Sequence, residues 1–287
     1  ALSISIQKVE TEIGMPLFNR DKKPLELTEA GKLYIEKIRQ IMHLENELAQ
    51  QLGDLTSLKT GNLRVGGSHY FNSYILPPVI ADFKKKWPGI DLQLTEAGSN
   101  ELLDMLKEDL IDLTFNCTPD PHDKLRRVPG FKDTILLAVS TRFPVNDHLR
   151  KAALTTSDIL SHRYLEENCP AVTMEAFADT PFILLSPGNN LYSRSQILFQ
   201  EAGVIPPVAM QVSQLVTAYH LAQSGIGATL ISDWMVIGKH PEMVYYKIDS
   251  PLASRVFDIV TPGKNYLSNA QKAFIALFQE YYKNSLL

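Results

Sequence analysis

The first 58 residues constrain the fold most, because they place a short helix, two extended runs and a long helix in a fixed order. Apolar residues recur at three- and four-residue steps in the opening segment, at Leu2, Ile6, Val9 and Ile13. This spacing predicts an amphipathic helix that stops at Gly14. Extended runs at 17–20 and 25–28 flank Asp21-Lys22-Lys23-Pro24, a turn with two lysines at its tip. A helix followed by a basic wing and a further helix indicates docking to DNA.

The segment ALSISIQKVETEIGMPLFNR, six residues and then LTEAG resembles the second half of the winged helix-turn-helix of LysR-type transcriptional regulators. The matching positions are Ala1, Leu2, Ser3, Ile6, Glu10, Gly14, Leu17, Phe18, Arg20, Leu27, Thr28, Ala30 and Gly31. The resemblance implies that residues 1–12 form the recognition helix, which two further helices precede in the family. It also implies DNA contacts from this helix and the wing, at Ala1, Ser3, Ile4, Ser5, Gln7, Lys8, Arg20, Lys22 and Lys23. Ile4 stands where the family often has arginine, so this position can touch a thymine methyl group but cannot bond guanine bidentately.

A long helix is predicted from an N-cap at Thr28 to about Leu55. Its apolar residues fall on alternating three- and four-residue steps, at Ile38, Ile41, Leu48, Leu52 and Leu55, with Glu45 interrupting the stripe. Such a stripe is typical of a coiled-coil seam, and an isolated helix of this kind is marginal in water. We therefore expect a dimerising linker helix at 29–60, although packing against the rest of the same chain stays open. The resemblance implies the same linker, and a homodimer or homotetramer.

Length and composition predict an ordinary globular protein of two or three domains. There is no run of about eighteen apolar residues and no apolar segment at the first residues, so no membrane partner is expected. The two cysteines, Cys117 and Cys169, lie in unrelated contexts and favour a reduced, cytoplasmic setting. The net charge of −4 does not favour nucleic acid, but basic residues outnumber acidic ones between Phe18 and Arg39. This local excess of positive charge can bind DNA phosphates.

From Asn62 onwards, strands and helices alternate. Strands are predicted at 63–67, 91–95, 112–116, 134–140, 182–185, 209–212, 228–231 and 256–260. Helices are predicted at 74–87, 100–107, 193–202, 214–224 and 269–283. The βαβαβ order at the start predicts a mostly parallel sheet with helices on both faces. The fold class is therefore α/β, with two similar units.

This region resembles the regulatory half of LysR-type regulators, which is built like a type 2 periplasmic binding protein with two lobes and a cleft. The stretches that support the resemblance are 63–67, 87–88, 109–115, 181–184 and 225–227. The expected domains are an incomplete winged helix-turn-helix at 1–28, the linker helix at 29–60 and an effector-binding domain at 61–287. Within the last, lobe 1 is expected at about 61–123 and 259–287, and lobe 2 at about 124–258. Residues 157–179 are interpreted as an insertion of unknown function.

Motifs for catalysis or metal binding do not occur. The sequence has no GxxxxGK[ST] phosphate loop and no HExxH, and Gly66-Gly67-Ser68-His69-Tyr70 is not a GxSxG elbow. We therefore expect no enzyme activity, no cofactor and no metal site. An enzyme on the same scaffold remains a weaker alternative, for which Cys117 would be the candidate cofactor anchor.

A binding cleft is the stronger hypothesis, because ligands of open α/β sheets lie beyond the carboxyl ends of the strands. Small polar side chains cluster at these points, and the candidate effector-binding residues are Ser68, His69, Ser99, Asn100, Asn116, Thr118, Asn189, Asn190, Gln214 and Thr229. Several of them are equally suited to capping helices, and helix N-termini attract anions. The sequence thus predicts a cytoplasmic LysR-type regulator that binds double-stranded DNA and a small polar or anionic effector. The alternative is a solute-binding receptor that does not act on transcription.

Overall fold

The computed structural model describes residues 2–54, 58, 60–120, 122, 124–263 and 266–285. The chain divides into two compact units, Ala1–Gly61 and Asn62–Leu287, called here the first and second units. Within the described residues, no helix combines the length and the apolar composition needed to cross a bilayer.

The first unit contains the elements that its sequence predicts. They are α1 (Leu2–Ile13), β1 (Phe18–Asn19), β2 (Glu26–Leu27) and α2 (Glu29–Asp54). Helix α1 ends where Gly14 takes a φ of +75° and donates its N–H to the Glu10 carbonyl at 2.9 Å. The two short strands pair antiparallel, and Thr28 caps α2 by accepting the Gly31 N–H at 3.0 Å. The predicted helix, hairpin and cap are confirmed.

Glu10 joins the helix to the wing. Its Oε1 accepts the backbone N–H of Leu17 at 2.8 Å, and its Oε2 accepts from Arg20 Nη2 at 2.7 Å. The hydrogen bond from Leu17 is the main cause that lowers the pKa of Glu10. Gly31 allows α2 to approach the backbone at Leu17 closely, since a Cβ at this position would lie 2.1 Å from the Leu17 carbonyl oxygen.

Helix α2 carries an apolar stripe that the rest of the first unit does not cover. Ile41 is 51% exposed, and Leu48 and Leu52 are each 56% exposed. The helix ends at Asp54, and Leu55, its predicted last residue, lies outside the described residues.

The second unit is a mixed α/β structure. Its strands are β3 (Gly61–Gly67), β4 (Ile90–Glu96), β5 (Thr114–Asn116), β6 (Arg126–Ser140), β7 (Ala171–Val172), β8 (Phe182–Leu185), β9 (Val208–Val212), β10 (Thr229–Ser232), β11 (Met243–Ile248) and β12 (Ser254–Thr261). Its helices are α3 (Leu76–Lys86), α4 (Ser99–Lys107), α5 (Val145–His148), α6 (Thr156–Leu160), α7 (Asn190–Glu201), α8 (Leu215–Gln223) and α9 (Asn269–Tyr282). A π-helical turn, Phe71–Ile75, precedes α3.

The prediction of a mostly parallel sheet is wrong for the six-stranded sheet. Parallel pairing occurs between β8 and β9, between β7 and β11, and at the Val65–Leu113 bridge. In contrast, β6 pairs antiparallel with β10, β11 and β12, and β12 pairs antiparallel with β5. The difference arises because β6 and β12 are long strands that run alongside each other in opposite directions. Strand β6 begins at Arg126 rather than Thr134, and β11 was not predicted.

Two aromatic clusters mark the cores on either side of these strands. Phe71 stacks on Phe115 with ring centres 4.7 Å apart, and Phe131 stacks on Phe257 at 5.1 Å. Elsewhere, Phe182 packs edge-on against Phe199 at 4.9 Å. Because β6 and β12 continue through both lobes, the lobe limits at 124 and 258 stay a prediction.

Residues 157–179 form an integral part of the second lobe. Strand β7 pairs parallel with β11, and Phe177 packs against Tyr246 with ring centres 5.3 Å apart. Tyr164 is only 2% exposed, and its hydroxyl donates to Asp233 Oδ2 at 2.5 Å. This segment therefore reaches the centre of the unit.

Candidate functional site

A cavity of about 510 Å³ opens where the strand ends of the second unit meet. The ends of β3 and β5, the N-termini of α4, α7 and α8, and one side of β12 line it. Of the predicted effector-binding residues, those at the cavity are Ser68, His69, Ser99, Asn100, Asn116, Thr118, Asn189, Asn190 and Gln214. The structure thus brings together residues that are up to 146 positions apart, from Ser68 to Gln214. Their role in binding stays a prediction.

Thr229 does not join this group, so its assignment is corrected. Its side chain is 2% exposed, and its hydroxyl donates to the Ile183 carbonyl at 2.9 Å. The residue begins β10, where this hydrogen bond links two neighbouring strands instead of facing the cavity.

The helix N-termini at the cavity differ in how their first turns are capped. Asn189 caps α7, since its Oδ1 accepts the Leu191 N–H at 3.0 Å. Gly98 and Gln214, the N-caps of α4 and α8, provide no side-chain cap. Backbone N–H groups in these two first turns therefore lack the usual side-chain acceptor. They are suited to a polar or anionic ligand group.

A hydrogen bond joins β5 to α7 across the cavity. Asn190 donates through Nδ2 to Thr118 Oγ1 at 2.9 Å, and its Oδ1 accepts from Arg194 Nε at 3.1 Å. Thr118 in turn donates its N–H to Asn116 Oδ1 at 2.7 Å. Nearby on the rim, His69 Nδ1 lies 3.1 Å from Glu96 Oε1. Several predicted ligand-binding groups are thus already engaged with each other.

Arg255 lines the cavity and forms a charged pair with the buried Asp133, and sequence reasoning missed both residues. Arg255 is 5% exposed and Asp133 1% exposed. Arg255 Nε donates to Asp133 Oδ1 at 2.8 Å, and Nη2 donates to Oδ2. The guanidinium also lies 4.9 Å from the centre of the Phe257 ring. Both strands contain more than one charged residue, so the sequence did not single out Asp133 and Arg255, and their pairing depends on the β6–β12 register.

A second guanidinium and a thiol lie close to this pair. Burial lowers the pKa of Arg194, and the charge of Arg255 acts in the same direction. Burial raises the pKa of the Cys117 thiol, which the positive charge of Arg255 opposes. Cys117 lines the cavity, so it is a local probe of the charge there.

Behind the floor, a chain of hydrogen bonds connects the two lobes. The Tyr70 hydroxyl lies 2.7 Å from Ser232 Oγ, and Ser232 Oγ donates to Asp233 Oδ1 at 3.2 Å. Asp233 also accepts from the Thr134 N–H at 3.1 Å and from Tyr164. Burial, and next the negative charge of Asp133, raise the pKa of Asp233 to about 6.

The candidate DNA-contacting surface lies on the first unit. Ser3, Ser5, Gln7 and Lys8 are exposed on α1, and Ile4 is 71% exposed. Ala1 lies outside the described residues. Arg20 is held by Glu10, and Lys22 Nζ lies 2.7 Å from Glu26 Oε2, so part of the wing's positive charge is balanced. Lys23 has no ion-pair partner in the part of the chain that the structure describes. DNA contact by these residues stays a prediction.

No cluster of three or more His, Cys, Asp or Glu side chains in the described ranges is arranged to hold a metal ion.

Two family models match the chain. Residues 1–32 match the bacterial regulatory helix-turn-helix protein model of the lysR family. Residues 56–283 match the LysR substrate binding domain. Among relatives, the uncharacterized HTH-type transcriptional regulator YcgK of Bacillus subtilis is 27% identical, over 99% of this chain and 87% of its own length.

Solved structures show the same fold. Full-length CbnR complexed with its target DNA has a TM-score of 0.61 and 19% identity, covering 99% of this chain and 88% of CbnR. The regulatory domain of CcmR from Synechocystis, in complex with 2-PG, has a TM-score of 0.64 and 17% identity, covering 78% of this chain and 98% of that domain.

Proposed function

This chain belongs to the LysR family of transcriptional regulators, and from that premise we propose that a small polar or anionic effector in the cleft controls DNA binding by the first unit. The observation that supports the proposal is the cavity of about 510 Å³, where polar side chains from many strand ends and helix N-termini meet. A cavity of this size suits a small metabolite. That CcmR was solved with 2-PG in its regulatory domain is consistent with this use of the fold.

The effector acts through a difference in affinity between two arrangements of the cleft. The Asn190–Thr118 hydrogen bond joins opposite sides of the cavity at 2.9 Å. A ligand that replaces or reinforces this bond changes the relative stability of closed and open forms. Such a change is a local event that an oligomer can transmit to its DNA-binding helices.

The protein acts as a dimer, or as a tetramer built from dimers, through α2. Support comes from the exposed leucines of that helix and from its 26-residue length. The relatives are named as transcriptional regulators, which supports a non-enzymatic role, and a regulator of bacterial genes works in the cytoplasm.

Calorimetry of the full chain against a panel of metabolites tests the effector site. Ser68→Ala and Gln214→Ala should each weaken effector binding several-fold, because each loses a hydrogen bond worth about 0.5 to 1.5 kcal/mol. DNA affinity without effector should change little. Ser73→Ala and Gln200→Ala are matched controls, since these residues are exposed in the same unit and do not line the cavity.

A second measurement connects the cleft to DNA. Genomic fragments that the full chain retains give a DNA probe, and fluorescence anisotropy then reports its affinity with and without each bound metabolite. A cleft ligand should change DNA affinity in the unaltered protein, and the change should shrink in Ser68→Ala. If every ligand that binds the cleft leaves DNA affinity unaltered, the proposed regulation is wrong.

A further inference from the structure

The hydrogen-bonded cluster at Asp233 draws on distant parts of the chain. The Tyr70 hydroxyl lies 2.7 Å from Ser232 Oγ, which donates to Asp233 Oδ1 at 3.2 Å. From the segment 157–179, Tyr164 donates to Asp233 Oδ2 at 2.5 Å. Tyr70 precedes α3 on one side of the cleft, whereas Ser232 ends β10 on the other. The Tyr70–Ser232 hydrogen bond is therefore a direct side-chain link between the two lobes.

The two carboxylates of this region differ in their partners. Asp133 is bound by Arg255, and both side chains are almost fully buried. Asp233 has no ion pair in the part of the chain that the structure describes. The groups that donate to it are neutral, namely two hydroxyls and two backbone N–H groups. A negative charge on Asp233 therefore lacks a counter-charge in contact with it, which makes the carboxylate sensitive to its hydration.

The charged groups that face Asp233 come from neighbouring elements. Asp133 lies on β6, and its partner Arg255 lies on β12. Burial, and next the negative charge of Asp133, raise the pKa of Asp233 to about 6. The hydrogen bond from Tyr164 acts in the opposite direction, because it stabilises the ionised carboxylate. Groups on three other elements thus influence whether Asp233 carries a proton.

The tyrosines around Asp233 keep their protons over the pH range in which it titrates. Burial raises the pKa of Tyr70 and of Tyr164 above the ordinary value for tyrosine. The hydroxyl of Tyr282, from α9, donates elsewhere, to the backbone carbonyl that precedes α3. Beyond Tyr164, His162 Nδ1 lies 3.4 Å from the Tyr164 hydroxyl. His162 is therefore the neighbour whose titration an experiment has to separate from that of Asp233.

Movement of the lobes would change the hydration of Asp233. If Tyr70 leaves Ser232, which is 0% exposed here, water reaches the Ser232 hydroxyl and the carboxylate behind it. Hydration favours the ionised carboxylate and returns its pKa towards the ordinary value of 3.8. The arrangement that binds the proton more tightly gains population as pH falls. Between pH 7.5 and 5 the ratio of the two arrangements can change by up to about tenfold.

We propose that Asp233 is a proton switch between two arrangements of the lobes. Uptake of a proton favours the arrangement described here, with Tyr70 bonded to Ser232, and loss of the proton favours a more open cleft. The Tyr164 hydroxyl stabilises the ionised carboxylate, so the segment 157–179 lowers the pH at which the switch changes. This inference goes beyond the proposed function, because it concerns the cleft in the absence of any effector.

Trp234 is a local reporter of the proton, since its backbone N–H donates to Asp233 Oδ1 at 3.0 Å. The measurement is tryptophan fluorescence against pH in the full chain with Trp87→Phe, which leaves Trp234 as its single tryptophan. We expect a transition with a midpoint at about pH 6, and Asp233→Asn should remove it. Histidines titrate in the same range, so His162→Gln is the control and should leave the midpoint in place.

Tyr164→Phe tests the contribution of the segment 157–179. Without the hydroxyl the ionised carboxylate loses a donor, so the midpoint should move to higher pH by about half a unit or more. Tyr246→Phe is the matched control, because Tyr246 is equally buried and its hydroxyl donates to Asn146 Oδ1 at 2.7 Å instead. This control should leave the midpoint unchanged.

Opening of the cleft is measured at Cys117, which lines the cavity, in the full chain with Cys169→Ser. Dipyridyl disulfide reacts with thiols at both pH 5 and pH 7.5. The rate with Asp233 present, divided by the rate in Asp233→Asn, cancels the pH dependence of the reaction itself. This ratio should rise from pH 5 to pH 7.5, by up to about tenfold. The negative charge of Asp233 by itself would lower the ratio, because it opposes ionisation of the thiol, so a rise identifies opening.

Three results would overturn the inference: a fluorescence transition that is absent or that survives in Asp233→Asn, a midpoint that Tyr164→Phe and Tyr246→Phe leave equally unchanged, or a rate ratio that stays constant or falls as pH rises. Neither measurement uses an effector or DNA, so such a failure leaves the proposed function as it stands. If cleft ligands do not alter DNA affinity while the rate ratio rises as expected, the proposed function fails and the switch remains.

Discussion

The two units use apolar residues in opposite ways. Among the described residues of the first unit, Leu17 is the one buried apolar side chain, with an exposed fraction of 5%. In the second unit, many apolar side chains have an exposed fraction at or near zero. The large exposed apolar side chains of the first unit are Ile4, Ile13, Met15, Leu25, Leu33, Ile41, Met42, Leu44, Leu48 and Leu52. An exposed stripe of this extent indicates a surface that needs a partner. The second unit encloses an apolar core, and its own exposed apolar side chains include Ile205 at 96% and Ile237 at 60%.

Charged pairs show the same contrast. Lys22 and Glu26 are 57% and 52% exposed, whereas Arg255 and Asp133 are 4% and 0% exposed, counted on their side chains. Water screens the first pair, so its contribution to folding is small. The second pair has lost its hydration, and each member depends on the other. The second unit also has exposed pairs, such as Arg150 with Asp147, so the contrast concerns the enclosed Arg255–Asp133 pair.

The largest expected effect concerns the exposed leucines of α2. Leu48→Asp together with Leu52→Asp places two charges on each helix of the seam, so we expect the dimer to dissociate, with a dissociation constant raised by about 10,000-fold or more. Multi-angle light scattering measures the mass. Glu45→Leu should be tolerated or stabilising, and Gln50→Asp, on the opposite side of α2, should leave the mass unchanged. An unchanged mass in the double variant would mean that another interface dominates.

Next in size is the enclosed pair of the second unit. Arg255→Gln alone leaves the Asp133 carboxylate buried without its counter-charge, so the free energy of unfolding should fall by about 3 to 5 kcal/mol. Asp133→Asn combined with Arg255→Gln should recover most of that loss. Urea denaturation gives both values. Equal destabilisation by the single and the double variant would show that packing, and not charge, determines the effect. For the exposed Lys22–Glu26 pair, Lys22→Ala should leave stability within experimental error.

Asp233 predicts a pH dependence of the second unit. Its pKa is raised to about 6, above the ordinary value of 3.8, so the folded state binds the proton more tightly than the unfolded state. This group therefore contributes stability below pH 3.8, and that contribution is lost as pH rises through about 6. Between pH 7.5 and 5 the gain is on the order of 1 kcal/mol. Asp233→Asn should remove this gain from the free energy of unfolding, measured with urea at the two pH values. If that free energy changes equally with pH in the variant and in the unaltered protein, the prediction is wrong.

The smallest expected effect lies on the wing. Lys23→Ala should reduce the slope of log affinity for duplex DNA against log salt by about one, because one phosphate contact is lost. Lys22→Ala should also reduce the slope if the lysine leaves Glu26 for a phosphate. Lys84→Ala with Lys85→Ala, two exposed lysines of α3, should not change it. A slope unaltered by Lys22→Ala and Lys23→Ala together would remove the wing from the interface.

Most elements of the first unit could be predicted because they depend on neighbours in the sequence. Gly14 ends α1 and Thr28 caps α2 through contacts three or four residues away. Part of the candidate site could also be predicted from the sequence, since strand ends in an α/β fold meet at one place whatever the order of the strands. Ser68, Asn116 and Gln214 line the cavity for this reason.

Other features depend on which strands become neighbours. The sequence by itself determined the local elements, the apolar stripe of α2 and the positions of the strand ends, because short-range periodicity and turn chemistry govern them. Only the tertiary structure decided that β6 and β12 run antiparallel, that Arg255 meets Asp133 122 residues away, and that Thr229 faces a neighbouring strand. The physical reason is register. A shift of one residue in the pairing of two strands moves every side chain to the opposite face of the sheet, and only long-range pairing determines that register.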